Sequence, residues 1–194
     1  MQELLKLGFK RSSLLICSAV IACCLWLTNC ITNIMAGSFS SVSINVMYIL
    51  CIMTLCGASI KKENNVVQGM TGALLATYLF GNSQVLSSNI NGMLNAGLPS
   101  QSDWMLIFGC ILSLCLFLNH FLLVNPKYHN MRRIMTNQII IIVLLLFRLI
   151  QGLMNLFGPG LSFESFRATV GLFAIIPTLN VIVCAENMGE SYNS

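Results

Sequence analysis

The chain contains 194 residues, of which 56% are hydrophobic and only 8% are charged. Soluble domains are about 25% charged, so this composition excludes a water-soluble globule whose surface is covered by polar groups. It also excludes a disordered tail or a flexible linker. We therefore expect an integral membrane protein that forms a single polytopic domain over residues 1–194.

Several apolar segments approach the length of about 20 residues that a helix needs to cross a bilayer. The third segment is the weakest candidate, because it is short and contains Gln68, Gly69 and Gly72. The predicted fold class is an all-α membrane protein, a bundle of six transmembrane helices. The predicted spans are 13–35, 42–60, 66–81, 104–124, 138–157 and 166–185.

The distribution of Lys and Arg between the predicted loops indicates how the spans are oriented. Basic residues in short loops remain on the cytoplasmic side. Eight of them fall in the segments 1–12, 61–65 and 125–137. The intervening loops, which contain none, are 36–41, 82–103 and 158–165. This alternation predicts an even number of spans, with the N-terminus and the C-terminus in the cytoplasm.

The N-terminal segment has basic residues before an apolar run, as a secretory signal peptide does. The run continues beyond Leu27 and five further spans follow it, so we expect a retained first span. The chain is rich in asparagine but contains no Asn-x-Ser/Thr acceptor sequence, which favours a bacterial inner membrane. The expected location is therefore the cell membrane, with multiple spans.

Residues that support catalysis or metal binding are scarce. All nine cysteines lie inside apolar segments, where thiols act as small hydrophobic side chains. The sequence contains no C-x-x-C, H-E-x-x-H, G-x-S-x-G or Walker motif. We expect no enzymatic activity, no metal and no cofactor. Topology and anionic lipid account for the basic loops, so no nucleic acid is expected as a partner.

Arg148 is the most informative polar residue, because it lies near the middle of the predicted span 138–157. A central Arg costs about 2.5–3.5 kcal/mol on insertion scales. Gln151 and Asn155 follow on the same helix face, so the three residues form a stripe that must face the bundle interior or a water-filled cavity. Two interpretations remain open, a ligand or ion site and a structural role in which Arg148 joins helices.

Other polar residues occur in the outer halves of the first, second and sixth spans. Together with the Arg148 stripe they predict an outward-facing cavity with one or two positive charges and no carboxylate. Such a cavity suits a small neutral or anionic ligand better than a metal ion. The competing interpretation is a set of interhelical hydrogen bonds. The candidate substrate-binding residues are Arg148, Gln151, Asn155, Asn29, Asn33, Asn45, Tyr48 and Thr178.

Small residues at helical spacing on the first span, Ser18 with Ala22 and Ala19 with Cys23, permit close helix contact. In length, span number and orientation the chain resembles the substrate-capture subunits of energy-coupling-factor vitamin transporters, although its 36–41 loop is shorter. The resemblance implies docking of a partner membrane subunit or ATPase through the first span.

The predicted function is a small-molecule permease, or the substrate-binding membrane subunit of a transporter, with the lipid bilayer as its surroundings. The alternative is a non-transporting membrane protein: a sensor, an immunity or assembly factor, or a structural subunit.

Overall fold

The computed structural model describes residues 11–95, 101–125, 127, 131–157 and 163–190. These residues form α-helices and contain no strand, so the all-helical class is confirmed. The helices are α1 (Arg11–Met35), α2 (Phe39–Lys61), α3 (Asn64–Asn95), α4 (Gln101–Val124), α5 (Met131–Phe157) and α6 (Phe163–Glu190).

Five of these helices, α1, α2, α4, α5 and α6, are long and apolar enough to cross a membrane. Their outer faces carry large apolar side chains that the other described residues leave exposed. In water such faces would drive aggregation, whereas in lipid they are the ordinary surface of a membrane helix. The chain is therefore a multi-pass membrane protein. On α5 the residues of this face, each more than half exposed, are Ile139, Ile142, Val143, Leu146 and Ile150.

The third helix differs from the prediction. For the outer loop 82–103, apolar residues spaced at three to four predict a short helix that lies on the outer surface or dips back into it; in the structure, residues 82–95 are helical but continue α3. Polar side chains in this part bond to carbonyl groups of their own helix, as Asn89 Nδ2 does to the Val85 carbonyl oxygen at 2.8 Å. The Asn- and Ser-rich sequence therefore does not interrupt the helix. These polar residues also explain why α3 is not one of the five apolar helices.

The chain divides into two compact units. The terminal unit comprises Met1–Thr71 and Gln151–Ser194, and so contains α1, α2 and α6 with the first turns of α3 and the last turns of α5. The central unit comprises Gly72–Ile150 and contains α4 with most of α3 and α5.

In the terminal unit, the buried side chains of three helices recur at alternating intervals of three and four residues. This period is typical of helices that pack side by side at a crossing angle of about 20°. It explains why α1 packs on both α2 and α6. The buried residues in this register are Leu15, Ala19, Ala22, Trp26, Asn29 and Asn33 on α1, Asn45, Tyr48, Ile52, Leu55 and Ser59 on α2, and Ala174, Thr178, Val181 and Ala185 on α6.

Short turns join α1 to α2 and α2 to α3. Gly37 ends α1 in a left-handed conformation, with φ of 72°, and the Ser38 N–H donates to the Asn33 carbonyl oxygen at 2.9 Å. This is the hydrogen-bond pattern of a Schellman motif, for which glycine is favoured because it has no Cβ. Lys62 ends α2 in the same left-handed region, with φ of 65°. The short first turn makes α1 and α2 an antiparallel hairpin.

The helices α1 and α6 are also antiparallel. Asn180 Nδ2 donates to Ser18 Oγ at 2.6 Å, and Gly171 lies beside Asn29, where an ideal Cβ would be 3.3 Å from the Asn29 Nδ2. Residue numbers thus rise along α1 as they fall along α6. The beginning of α1 and the end of α6 consequently lie at the same end of the terminal unit.

In the central unit, α4 is antiparallel to both of its neighbours in the chain. Against α3, Gly72 lies beside His120, where an ideal Cβ would be 3.3 Å from His120 Nε2. Against α5, Asn137 Nδ2 donates to the Cys115 carbonyl oxygen at 2.8 Å. Further along the same pair of helices, the rings of Phe108 and Phe147 meet edge to face with their centroids 4.9 Å apart.

Candidate functional site

Three carboxamides form a chain of hydrogen bonds inside the terminal unit. Asn33 Nδ2 donates to Asn29 Oδ1 at 3.3 Å, and Asn29 Nδ2 donates across to Asn45 Oδ1 on α2 at 3.4 Å. Asn45 is only 4% exposed, and its Nδ2 has no hydrogen-bond partner among the described residues. The chain of bonds links α1 to α2 and ends on one buried donor.

A second polar contact in the same unit joins α1 to α6. Trp26 Nε1 donates to Thr178 Oγ1 at 3.0 Å, and this hydroxyl donates in turn to the Ala174 carbonyl oxygen at 2.7 Å. The Trp26 ring also packs on Tyr48, with ring centroids 4.2 Å apart. Each polar atom of the Trp26–Thr178 pair therefore has a partner inside the protein.

The terminal unit contains seven of the eight sequence-predicted site residues, all except Arg148. The carboxamide chain and the Trp26 contact bring together Asn29, Asn33, Asn45, Tyr48 and Thr178. Gln151 is buried as well, at 8% exposure. The hydrogen bonds and ring contact that these groups make join helices to one another, which is the geometry of the interhelical interpretation.

Arg148 belongs to the central unit. Its helix begins at Met131, seven residues before the predicted span 138–157, and the apolar part ends at Met154. Arg148 therefore lies about 9 Å from the end of this apolar part, between the middle of α5 and its C-terminal end. The side chain of Asn155, the last predicted member of the stripe, lies outside the described residues.

A glycine on α4 makes room for the Arg148 guanidinium. An ideal Cβ on Gly109 would overlap Arg148 Nη2 and would lie 3.0 Å from Asn82 Oδ1 of α3. The guanidinium and the Asn82 carboxamide therefore share the space that a side chain at position 109 would fill. Three helices meet at this point.

Two more polar side chains surround the guanidinium. The side chains of Tyr78 and Cys110 lie near the guanidinium. The Tyr78 side chain is hydrogen-bonded to that of Asn82, and Asn82 Nδ2 donates to the Tyr78 carbonyl oxygen at 2.9 Å. We call Arg148, Tyr78, Asn82, Gly109 and Cys110 the Arg148 cluster. None of its members is a carboxylate, and in the described part of the chain the buried Arg148 Nε has no hydrogen-bond partner.

Sequence reasoning identified Arg148 but missed Tyr78, Asn82 and Gly109. The sequence predicts Asn82 in the outer loop 82–103, whereas in the structure it lies one turn after Tyr78 on the same face of α3. The four-residue spacing of these two polar residues, at the end of an apolar segment, was the available signal. The sequence around Gly109 contains no such signal, because the need for a glycine at this position comes from the close approach of Arg148 on α5.

All nine cysteines are free thiols. Within the described segments, no three His, Cys, Asp or Glu side chains lie close enough to hold a metal ion. No family model, no curated protein and no solved structure matches this chain. Functional inference therefore depends on the geometry of the two polar regions.

Proposed function

We propose that this multi-pass membrane protein is a small-molecule permease, or the substrate-binding membrane subunit of a transporter, and that the Arg148 cluster binds its ligand. The observation that carries the proposal is the buried Nε of Arg148, which has no hydrogen-bond partner among the described residues. A guanidinium inside a membrane helix is expensive unless something compensates it. A bound ligand supplies that compensation.

The chemistry of the cluster favours a small polar ligand that is neutral or anionic. The guanidinium offers hydrogen-bond donors in a planar fork, and its neighbours are a phenol, a carboxamide and a thiol. A cation would meet a positive charge without any carboxylate from the cluster to oppose it. We propose no catalytic role for these residues.

We further propose that α3 crosses the membrane as a sixth span. It follows α4 in antiparallel contact from the Gly72–His120 pair to the Asn82–Gly109 pair. These contacts extend over most of the apolar segment Leu106–Val124 of α4. The 32 residues of α3 measure about 48 Å, more than the hydrocarbon thickness of about 30 Å. Its polar second half therefore extends beyond the hydrocarbon.

The parity of the spans supports the same topology. Since α1 and α6 are antiparallel, the beginning of α1 and the end of α6 lie on one side of the membrane. Five crossings would place them on opposite sides, whereas six place them together. Lys61 and Lys62 lie at the turn between α2 and α3. Because α1 and α2 form an antiparallel hairpin, this turn is on the same side as the beginning of α1, and the positive-inside rule assigns that side to the cytoplasm. We propose that the membrane is a bacterial inner membrane.

The alternative function, a non-transporting sensor, assembly factor or structural subunit, is favoured by a different observation. In the terminal unit, polar side chains join α1 to α2 and α6 by hydrogen bonds. If Arg148 served the same purpose in the central unit, no ligand would be needed. The two functions therefore differ in what removal of Arg148 does.

The test uses the full chain in lipid nanodiscs, as wild type, Arg148→Leu and Arg148→Lys. Thermal unfolding is measured with and without a panel of small neutral amides, sugars, carboxylates and inorganic phosphate, because a ligand that binds the folded state raises its stability. We expect both variants to fold and to lose the response to the compound that stabilises the wild type. Arg167→Leu, a change at the start of α6, is the matched control and should keep the response.

Loss of the fold in both Arg148 variants, with no response in the wild type, would support the non-transporting alternative. Uptake of the stabilising compound into proteoliposomes that contain this chain alone would identify a permease. Uptake only after a partner membrane subunit or ATPase is added would identify a substrate-binding subunit.

A further inference from the structure

We propose that the ligand of the Arg148 cluster carries a single carboxylate, and that Tyr78 and Asn82 contact it together with Arg148. This inference rests on the proposed function and narrows it from neutral or anionic molecules to monocarboxylates. It also assigns to Gly109 the role of a positioning residue, which acts through the guanidinium.

The charge of the cluster selects a monoanion. Arg148 is its one formally charged member, and the basic residues Arg132 and Arg133 lie at the opposite end of α5, about 22 Å away. A phosphate monoester carries about −1.5 to −2 charges and would leave the cluster with net negative charge. One carboxylate, with a single negative charge, balances the positive charge of the cluster. Because uncompensated charge is costly in the membrane, the neutral combination is favoured.

The geometry of the guanidinium matches a carboxylate. A carboxylate accepts two parallel N–H bonds from the planar fork of an Arg side chain. In this structure Nε is buried and has no acceptor among the described residues, while Nη2 lies against Gly109 beside the carboxamide of Asn82. The acceptor that Nε lacks is what a carboxylate oxygen provides.

Tyr78 and Asn82 add neutral polar groups next to this fork. Their side chains are hydrogen-bonded to each other, and Tyr78 is only 9% exposed. Burial in a dry site strengthens a charge-assisted hydrogen bond. Asn82 Nδ2 also donates to the Tyr78 carbonyl oxygen at 2.9 Å, so one polar hydrogen of the pair is left, and it can donate to a carboxylate without adding charge. The pair therefore distinguishes a carboxylate from a neutral ligand less than Arg148 does.

Gly109 determines where the guanidinium lies. A Cβ at this position would overlap Arg148 Nη2, and since the guanidinium is the far end of a flexible side chain, it would move away while the helices keep their places. Gly109→Ala should therefore weaken carboxylate binding with little loss of stability. Gly92→Ala is the matched control on α3, because a Cβ there would meet nothing within 4 Å.

The experiment measures thermal stabilisation of the full chain in nanodiscs by sodium acetate and sodium benzoate. Acetamide and benzamide serve as neutral isosteres, inorganic phosphate serves as the competing anion, and sodium chloride keeps the ionic strength equal. We expect the carboxylates to raise the melting temperature more than their amides do, and more than phosphate does. Arg148→Gln should lower carboxylate affinity about 10- to 100-fold, Gly109→Ala about tenfold, and Tyr78→Phe a few-fold, whereas Gly92→Ala should leave it unchanged.

The ratio of carboxylate to amide affinity separates positioning from a merely structural role. In Gly109→Ala this affinity ratio should fall, while the melting temperature measured without ligand should stay the same. Equal stabilisation by amides and carboxylates, or tighter binding of phosphate, would overturn the monocarboxylate inference and leave a small-molecule site in place. A wild type that responds to none of these probes also overturns the inference, while uptake assays with other compounds still test the proposed function separately.

Discussion

The two units of this protein differ in one polar group above all, the guanidinium of Arg148 in the central unit. In the terminal unit, hydroxyl, indole and carboxamide groups bond across α1, α2 and α6. In the central unit, a formal charge lies where three helices meet, and its buried Nε has no acceptor in the described part of the chain. A donor of the terminal unit that lacks a partner among the described residues, Asn45 Nδ2, belongs to a neutral carboxamide, whereas an uncompensated charge inside the membrane costs more. Only the second calls for a ligand.

The largest effect on stability should come from the terminal unit. Trp26 is 4% exposed, donates to Thr178 and stacks on Tyr48. We expect Trp26→Ala to lower the free energy of unfolding by about 3–5 kcal/mol, measured by denaturant titration in mixed micelles. Trp104→Ala, at a half-exposed position, is the control and should cost much less. Equal losses of unfolding free energy in the two variants would contradict the expected difference between a buried tryptophan and an exposed one.

The second prediction concerns Arg148, whose replacement should change the free energy of unfolding in the opposite direction. Replacement by Gln removes a charge that no carboxylate in the cluster balances, so the free energy of unfolding should stay the same or rise by about 1–3 kcal/mol. The same denaturant titration measures it, without ligand. A loss comparable with that of Trp26→Ala would show that Arg148 joins helices, as the polar residues of the terminal unit do.

The carboxamide chain provides a finer test of the terminal unit. Asn29→Leu removes one bond to Asn33 and one to Asn45, and interhelical bonds in membranes average about 0.6 kcal/mol each. We expect a loss of about 1–2 kcal/mol. Asn45→Leu breaks a single one of these bonds and removes a buried donor that lacks a partner, so it should cost less. The reverse order in unfolding titrations would contradict this arrangement.

The smallest expected effects separate two glycines in the terminal unit. At Gly171 an ideal Cβ would be 3.3 Å from Asn29 Nδ2, whereas at Gly57 it would meet nothing within 4 Å. Gly57→Ala should raise stability by up to about 1 kcal/mol through helix propensity. Gly171→Ala should gain less or lose stability, because the Asn29 carboxamide must shift. Melting temperatures of the two variants, compared with wild type, check the difference.

The sequence was sufficient to predict the helical class and the five apolar helices, because hydropathy over about 20 residues depends on the chain alone. It also marked Arg148, since a charge within an apolar run is visible without a structure. It did not predict the length of α3, in which polar side chains such as Asn89 bond to their own helix. Nor did it pair Gly109 with Arg148, because contacts between helices depend on packing rather than on local periodicity.

The contrast between the units depends most on what Arg148 binds, and solid-state NMR can measure it directly. The full chain, labelled with ¹⁵N in arginine and reconstituted in lipid, is saturated with benzoate that carries ¹³C in its carboxylate. We predict a ¹³C–¹⁵N distance of about 4 Å, as a bidentate pair requires, and its disappearance in Arg148→Lys. No dipolar contact at saturation, or a contact that persists in Arg148→Lys, would contradict the account.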